Sequence, residues 1–290
     1  MNDYQITSDS TVDLGRARME ELGVPYVRLV YIRDGVEKQD GMTDQCALEI
    51  YDNMRNGVVY KSAQANPEDF MAFWTPILES GRDILYIGFS SGLSGTVNSA
   101  FLARAELGPK YPERKIYIVD SLCASGGEGL LLEKAVEKKN AGATIDECRD
   151  YAEALKLRVN HWYTVAELSY LRRGGRVSAT SAIVADILNI KPVMDMNDQG
   201  KLIPRERVKG RKVAVRRMFE HLCTRADMKE NRYFRITHAD CMDDALSLKQ
   251  MLQERFGGIP VHISMVGAVI GSHCGPGTLA LFFIGEPRRE

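Results

Sequence analysis

The first half of this sequence alternates between short apolar runs and longer amphipathic segments, and this alternation limits the folds open to the chain. The apolar runs are too short for helices and suit buried strands, and they lie at residues 4–7, 27–32, 84–89 and 116–119. Segments with helical spacing lie at residues 12–22, 43–56, 67–79, 95–107 and 126–139. The alternation predicts an α/β fold, with a mostly parallel sheet and flanking helices.

The pattern changes in the second half of the chain, after a long polar helix predicted at residues 144–158. Candidate strands follow at residues 191–196, 201–208, 232–237, 261–270 and 279–284, with helices predicted at 211–224 and 242–255. The polar segment at 197–200 suits a hairpin turn. We therefore expect two domains, an N-terminal α/β domain at 1–155 and a C-terminal α+β sheet domain at 156–290.

Charge and composition exclude several classes of protein. The formal net charge of −1 argues against a general nucleic-acid binder. No apolar run approaches the ~20 residues that a membrane span needs, and the N-terminus lacks the pattern of a secretory signal. The six cysteines form no C-x-x-C pair, and no histidine has metal-motif spacing. We expect reduced thiols, no metal or other cofactor, and a cytoplasmic location.

The segment FSSGLSGT follows a predicted strand and permits two interpretations. In the first, Gly88, Ser90 and Gly92 form the G-x-S-x-G nucleophile elbow of a serine hydrolase. Asp120 and His273 would then complete a catalytic triad, since they follow in the right chain order. Against this, the predicted helix starts about four residues after Ser90, whereas an elbow serine lies directly at the turn between strand and helix.

In the second interpretation, Ser94 is the N-cap of the helix and takes part in anion binding. The hydroxyl of a capping serine accepts a hydrogen bond from the first turn, and this alone explains many such residues. The free N–H groups and positive dipole end of a helix also suit a phosphate or carboxylate. Helical spacing places Val97, Phe101 and Ala105 on one face, which predicts the buried side of this helix.

Two basic stretches occur in an otherwise neutral chain. Arg172, Arg173 and Arg176 lie close together, and Lys209 belongs to a run at 201–217 in which Glu206 is the only acidic residue. A solvated face is the ordinary explanation for such runs. A docking patch for an acidic partner is the alternative, because complementary charge steers association.

Six motifs together resemble the DegV family of bacterial fatty-acid-binding proteins. They are ITSDSTVDL (6–14), FSSGLSGT (89–96), IYIVDS with the glycines after it (116–129), LRRGGRVS (171–178), LNIKPVM (188–194) and GSHCGPGTLAL (271–281). The resemblance implies a two-domain α/β protein that encloses one long-chain fatty acid, such as palmitate, stearate or oleate, between its domains. It also implies a carrier that performs no chemistry and presents the carboxylate to an ATP-dependent fatty acid kinase, which makes an acyl phosphate.

The resemblance also implies a set of carboxylate-binding residues. Ser94 matches the family's carboxylate-binding serine, with the Gly95 amide beside it, and His273 matches the histidine of the family's H-T-G-P-G turn. Ser62 stands where the family has threonine. Lys209 falls where the family often has arginine, and we expect Lys209, Arg172, Arg173 and Arg176 to contact the ligand or the kinase.

Four departures from the family pattern, with Lys209 among them, leave the ligand and the kinase open. Ser62 keeps the hydroxyl of the usual threonine, Cys274 replaces threonine beside His273, and Lys61 adds a cation next to Ser62. Two rival functions therefore remain. One is the serine esterase built on Ser90, and the other is a regulatory module that senses a lipid without any kinase.

Overall fold

The computed structural model describes residues 3–177 and 189–289. Its strands are β1 (Tyr4–Asp9), β2 (Tyr26–Val27), β3 (Val30–Arg33), β4 (Val36–Gln39), β5 (Lys61–Ala63), β6 (Asp83–Gly88), β7 (Ile116–Asp120), β8 (Val159–Thr164), β9 (Ile190–Met196), β10 (Leu202–Lys209), β11 (Phe234–His238), β12 (Val261–Met265) and β13 (Leu279–Ile284). Its helices are α1 (Arg16–Glu21), α2 (Asp44–Arg55), α3 (Pro67–Glu79), α4 (Thr96–Leu107), α5 (Gly126–Asn140), α6 (Ile145–Leu155), α7 (Leu168–Arg173), α8 (Arg211–Arg225), α9 (Met242–Phe256) and α10 (Ala268–Cys274). The motifs at 171–178 and 188–194 include Ser178 and Leu188, which lie outside the described residues.

A parallel four-stranded sheet, in the order β2-β1-β6-β7, organises the first half of the chain. Every residue of β6 is buried, because helices cover a parallel sheet on both faces. Capping boxes start two of the helices, with Asn66 and Asp69 at α3 and Thr144 and Glu147 at α6. The predicted parallel sheet with flanking helices is confirmed.

A six-stranded sheet, in the order β10-β9-β8-β13-β11-β12, organises the second half. Its pairs are antiparallel except for β11 and β12, and β9 and β10 form the predicted hairpin. Helices α8 and α9 pack on this sheet, and α5 from the first half also contacts it. The mixed α/β class is confirmed, and the domain boundary near residue 155 stays a prediction. No helix among the described residues is both long and apolar enough to cross a membrane.

A small antiparallel sheet, β4-β3-β5, was not predicted, and it overturns the single strand expected at 27–32. That segment contributes to two sheets: β2 pairs with β1, and β3 pairs with β4 and β5. Between them, the Leu29 N–H donates to the Ser10 Oγ at 3.1 Å instead of to a neighbouring strand. The chain therefore leaves the parallel sheet at this point.

Two further boundaries differ from the sequence predictions. The strand predicted over 261–270 ends at Met265, and α10 begins at Ala268. Buried carboxylates distant in sequence bind the amides at this helix start, so local patterning could not reveal it. The helix predicted over 12–22 is instead a 3-10 turn (Ser10–Val12) followed by α1, because Asp13 lies in the left-handed region with φ of 50°.

Candidate functional site

A cavity of about 410 Å³ is lined by residues from both halves of the chain. Small-molecule sites in proteins commonly occupy about 300–1,000 Å³, so the size suits a ligand. One wall is a face of the six-stranded sheet, to which His161, Tyr163, Thr237, Ala280 and Phe282 contribute. Alternate residues of a strand point to the same face, which explains why His161 and Tyr163 of β8 both reach the cavity.

The four residues predicted to bind a carboxylate lie in this cavity. Ser62 comes from β5, Ser94 and Gly95 lie at the start of α4, and His273 comes from α10. The structure thus brings together side chains from three separate regions of the chain. Their role in binding stays a prediction.

Helix α10 carries His273 and is held against the first half of the chain at its first turn. Asp13 Oδ1 accepts from the Gly267 N–H at 2.8 Å, and Asp40 Oδ2 accepts from the Val269 N–H at 3.2 Å. A Cβ at Gly271 would lie 2.5 Å from the Tyr51 Oη, so glycine allows α10 to pack closely against α2. These contacts determine where His273 enters the cavity.

His273 and Ser62 form a hydrogen bond, with 2.7 Å between Nε2 and Oγ. Burial, with a smaller contribution from Arg176, lowers the pKa of His273 to about 4. The imidazole is therefore neutral at physiological pH and either donates to or accepts from Ser62. If Nε2–H donates to Ser62, the serine hydroxyl is free to donate to an anion.

Ser94 is not the N-cap of α4 but the residue before it. The N-cap of α4 is Gly95, and the Ser94 Oγ accepts from the Thr96 N–H at 3.3 Å. A Cβ at Gly95 would lie 2.1 Å from the Gln64 Oε1, so a larger residue at this helix start would displace the Gln64 amide. The prediction of Ser94 as N-cap is therefore wrong, although its hydroxyl does bond to the first turn.

The buried face predicted for α4 is also wrong. Val97 is buried, but Phe101 is 42% exposed and Ala105 is exposed. The buried side chains are instead Thr96, Val97, Ser99, Ala100, Ala103 and Leu107. Small residues dominate this face because α4 packs closely against α3 and β7.

Of the four basic residues singled out, Arg176 alone lines the cavity. Its guanidinium donates to the carbonyl oxygens of Leu93 at 3.2 Å and Gly174 at 2.6 Å, and no carboxylate of a described residue pairs with it. Burial lowers the pKa of Arg176, but an arginine keeps its charge at neutral pH. Arg172, Arg173 and Lys209 are exposed and do not line the cavity.

The esterase interpretation of Ser90 is wrong. Ser90 is fully buried, its Oγ donates to the Gly200 carbonyl at 2.8 Å, and it does not line the cavity. Asp120 accepts from the backbone N–H groups of Ser91 and Leu122, and His273 pairs with Ser62 instead. The three residues do not form a triad, since each is already bonded to a different partner.

A network of buried carboxyl groups supports the loop that carries Ser94. Asp9 accepts from the Tyr86 hydroxyl at 2.7 Å, the Thr11 N–H at 3.0 Å and the Phe89 N–H at 3.2 Å. The Thr11 hydroxyl contacts Asp9 Oδ1 and lies 2.9 Å from Glu128 Oε2. Because Thr11 also lines the cavity, this network connects the cavity wall to the start of the Ser94 loop.

Sequence reasoning missed several residues of the cavity wall. Gln64, His161 and Tyr163 are three polar examples. Gln64 lies two residues after Ser62, so its position in the sequence offered a signal. His161 and Tyr163 alternate on β8, but only the folded sheet shows which of its faces meets the cavity.

Comparison with known proteins places this geometry in context. The sequence pattern of DegV, described as a family of uncharacterised proteins, matches residues 3–286. A DegV domain-containing protein from Clostridium perfringens is 37% identical over 289 residues, which cover 99% of each chain. A protein from Thermotoga maritima named as a fatty acid-binding protein is 33% identical over 282 residues, 95% of each chain.

A solved structure has the same fold as this chain. The structure of a DegV lipid binding protein from Thermotoga maritima superimposes with a TM-score of 0.85 at 30% identity, covering 99% of this chain and 100% of that one. The two-domain α/β architecture is therefore shared across the full length of both chains.

Proposed function

The chain belongs to the DegV family, and from that premise we propose that it is a cytoplasmic carrier that binds one long-chain fatty acid, such as palmitate, stearate or oleate, in the cavity. One observation carries the proposal. The cavity is mostly apolar, yet polar and cationic groups from Ser62, Ser94, His273 and Arg176 all reach it. An amphipathic ligand with one anionic end matches that distribution.

The carboxylate end of the ligand would contact Ser62, Ser94, Gly95 and His273. A carboxylate cannot be buried without hydrogen-bond donors, and hydroxyl and amide N–H groups provide them. The Gly95 N–H, at the N-cap of α4, has no acceptor among the described residues, so it is available to the ligand. The positive end of the α4 dipole adds to the attraction.

Arg176 would supply the charge that balances the carboxylate. Its guanidinium is half-buried, lines the cavity and has no carboxylate partner among the described residues. A partly desolvated cation without a counter-ion is costly, and a bound carboxylate would relieve that cost. Arginine suits this role because its planar fork matches a carboxylate.

The acyl chain would lie against the apolar part of the wall. Leu29, Phe89, Leu202, Val269 and Phe282 contribute to this part of the wall. Each buried CH₂ is worth about 0.8 kcal/mol, so a chain of about fifteen methylenes gains roughly 12 kcal/mol before ordering costs. The tail therefore supplies most of the affinity, and the carboxylate contacts fix the orientation.

The carrier would present its bound acid to an ATP-dependent fatty acid kinase. Arg172 and Arg173 are exposed and stand a few residues before Arg176, so a basic surface lies close in the chain to the proposed carboxylate site. Lys209 is an exposed cation at the end of β10. Such groups suit an acidic docking surface on the kinase.

Native mass spectrometry of the purified protein tests lipid binding. We expect one bound mass near that of a C16 or C18 acid, or uptake of one equivalent after incubation with palmitate or oleate. A protein that stays empty after incubation would contradict the proposal. Ser94→Ala should bind roughly tenfold or more weakly, since a hydrogen bond to a charged group is worth about 1.5–3 kcal/mol. Ser91→Ala is the matched control, because Ser91 lies in the same loop but outside the cavity wall.

The kinase proposal needs a separate measurement. The lipid-loaded protein, a cognate kinase and ATP should yield acyl phosphate, trapped with hydroxylamine. Arg172→Gln and Arg173→Gln should lower this yield while lipid binding stays intact. Tight lipid binding without acyl-phosphate formation by any cognate kinase would favour a lipid sensor instead.

A further inference from the structure

A second cavity, of about 370 Å³, lies outside the proposed lipid site. Trp162 of β8 and Asp195 of β9 line it, and as cross-strand partners they project from one face of the six-stranded sheet. Tyr163, the next residue of β8, projects from the opposite face and lines the proposed lipid site. The sheet therefore separates the two cavities, although His161 and Met196 contact both.

Arginine side chains dominate the charge of the second cavity. Four of them line it: Arg205 of β10, Arg225 of α8, and Arg288 and Arg289 of the segment after β13. The side chains of Arg205 and Arg225 are 31% and 27% exposed, and Arg289 is exposed. These three side chains are therefore accessible to a ligand that enters the second cavity from solvent.

Two carboxylates also line the second cavity, and arginines already bind both of them. Asp195 accepts from the Arg205 Nε at 2.8 Å. Glu206 accepts from the Arg217 Nε at 2.7 Å and Nη2 at 3.1 Å, and it also contacts the His221 Nε2. Arg217 is not part of the wall. Four arginines against two carboxylates leave the wall with an excess of positive charge.

Arg288 is a buried cation without a carboxylate partner among the described residues. It is 5% exposed, and its guanidinium donates to the carbonyl oxygens of Asn197 at 3.0 Å and Lys156 at 3.1 Å. Carbonyl oxygens satisfy N–H groups but do not neutralise the charge, so the desolvated cation remains costly. An anion in the adjoining cavity would lower that cost through its charge, without touching Arg288.

Arg225 and Arg289 keep donors for such an anion. The Arg225 Nε donates to the Asn160 Oδ1 at 3.1 Å and its Nη2 to the Pro287 carbonyl at 3.3 Å. The Arg225 Nη1 has a long contact of 3.8 Å with the exposed Glu286. The guanidinium of Arg289 has no partner among the described residues. Direct contact with a ligand therefore falls to these two arginines.

We propose that the second cavity binds a small anion that carries phosphate, and that Arg225 and Arg289 contact it while Arg288 contributes its charge. The planar fork of a guanidinium matches two oxygens of a phosphate group, and several arginines suit an anion with more than one charge. The chain has a net charge of −1, so the positive charge is local to this cavity and suits a small ligand better than a nucleic acid. This site is separate from the proposed lipid site and does not depend on it.

Titration calorimetry at constant ionic strength tests the inference, with inorganic phosphate, pyrophosphate and ADP as probes. Arg289→Gln removes an exposed cation, and Arg225→Lys keeps the charge but removes the fork. Arg232→Gln is the matched control, because Arg232 is an exposed arginine of the second half that lines neither cavity. Constant ionic strength matters because salt screens exposed charges.

We expect one pyrophosphate to bind per chain. Arg289→Gln and Arg225→Lys should each weaken its binding roughly tenfold, as for the loss of a hydrogen bond to a charged group, and Arg232→Gln should bind within about twofold of the wild type. Tighter binding of ADP than of pyrophosphate would identify an organic phosphate as the ligand, and the reverse order an inorganic one. No saturable binding of any probe at millimolar concentration, or an affinity that neither cavity variant lowers, would overturn the inference.

Discussion

The Oγ of Ser62 lies 2.7 Å from the Nε2 of His273, although 211 residues separate them in the chain. One partner comes from the small sheet of the first half, and the other comes from a helix that is formed by the second half but is packed against the first. The hydrogen bond therefore joins the two halves at the wall of the cavity. Any ligand that contacts both side chains depends on how the halves are docked.

A double-mutant cycle should show that Ser62 and His273 act as one unit in fatty-acid binding. Ser62→Ala and His273→Gln should each weaken binding roughly tenfold, as for loss of a hydrogen bond to a charged group. The double variant should bind about as well as the weaker single variant, because contacting residues are not additive. The control cycle combines Ser272→Ala with His273→Gln. Ser272 donates to the Val269 carbonyl and does not line the cavity, so the effects of these two changes on fatty-acid binding should add.

Fatty-acid affinity should stay constant between pH 6 and pH 8. Burial lowers the pKa of His273 to about 4, so the imidazole is neutral throughout this range, and Arg176 stays charged. Displacement of a fluorescent fatty acid across the range measures this. A histidine with the ordinary pKa near 6.5 would lose its charge in this window, and affinity would then fall as the pH rises.

Arg176→Gln should weaken fatty-acid binding about tenfold or more, because Arg176 is the only lysine or arginine among the described residues that line the cavity. Arg176→Lys should restore part of the loss, since the charge remains but the fork does not. Arg172→Gln serves as the control, being exposed and outside the cavity wall, and it should bind within about twofold of the wild type. Equal losses for the two glutamine variants would remove Arg176 from the site.

Stability should fall as the pH rises from 6.5 to 8, and Asp13→Asn should flatten this slope. Burial raises the pKa of Asp13 to about 8, so the folded protein keeps a proton there that the unfolded chain releases near pH 4. The stabilisation is complete below the unfolded pKa and is lost as pH rises through about 8. Each such proton contributes about 1.4 kcal/mol per pH unit between the two pKa values.

Urea unfolding at several pH values measures this slope. Burial also raises the pKa of Glu128 well above its ordinary value and acts in the same direction, so some slope should persist in Asp13→Asn. Buried histidines give a pH slope of the opposite sign only below about pH 6.5, which is why the measured pH range starts there. An unchanged slope in Asp13→Asn would show that Asp13 is ionised in the folded protein.

Glu128→Gln should be tolerated, whereas Asp9→Asn should destabilise the fold by about 2 kcal/mol or more. The single hydroxyl proton of Thr11 cannot serve both carboxyl groups, so one of them must carry a proton of its own. Asp9 also accepts from two backbone N–H groups and from Tyr86, which favours the charge on Asp9 and the proton on Glu128.

The free energy of unfolding of the two variants decides between these states. A neutral glutamine reproduces a protonated Glu128, while an asparagine at position 9 turns an NH₂ group toward donors. If Glu128→Gln proved as damaging as Asp9→Asn, the charge would lie on Glu128.

Local patterning predicted the elements well and their boundaries less well. The strand at 84–89 and the helix at 67–79 needed only an apolar run and an N-terminal capping sequence, and both formed as expected. The apolar segment at 261–270 was predicted to be one continuous strand. Local patterning could not show the start of α10 within it, because the amides of Gly267 and Val269 bind carboxylates more than two hundred residues away. The motif GFSSG likewise matches a nucleophile elbow in sequence, but the fold buries Ser90.

The sequence by itself determined the α/β class, the family and the identity of the residues at the proposed carboxylate site. These follow from periodicity and capping, which depend on a few neighbouring residues, and from the order of the motifs, which the sequence shows directly. Only the tertiary structure decided that Ser62 pairs with His273, that Arg176 rather than Arg172 faces the cavity, and that four arginines line a second cavity. Each of those facts depends on which surfaces meet when distant elements pack, and no local interaction encodes that.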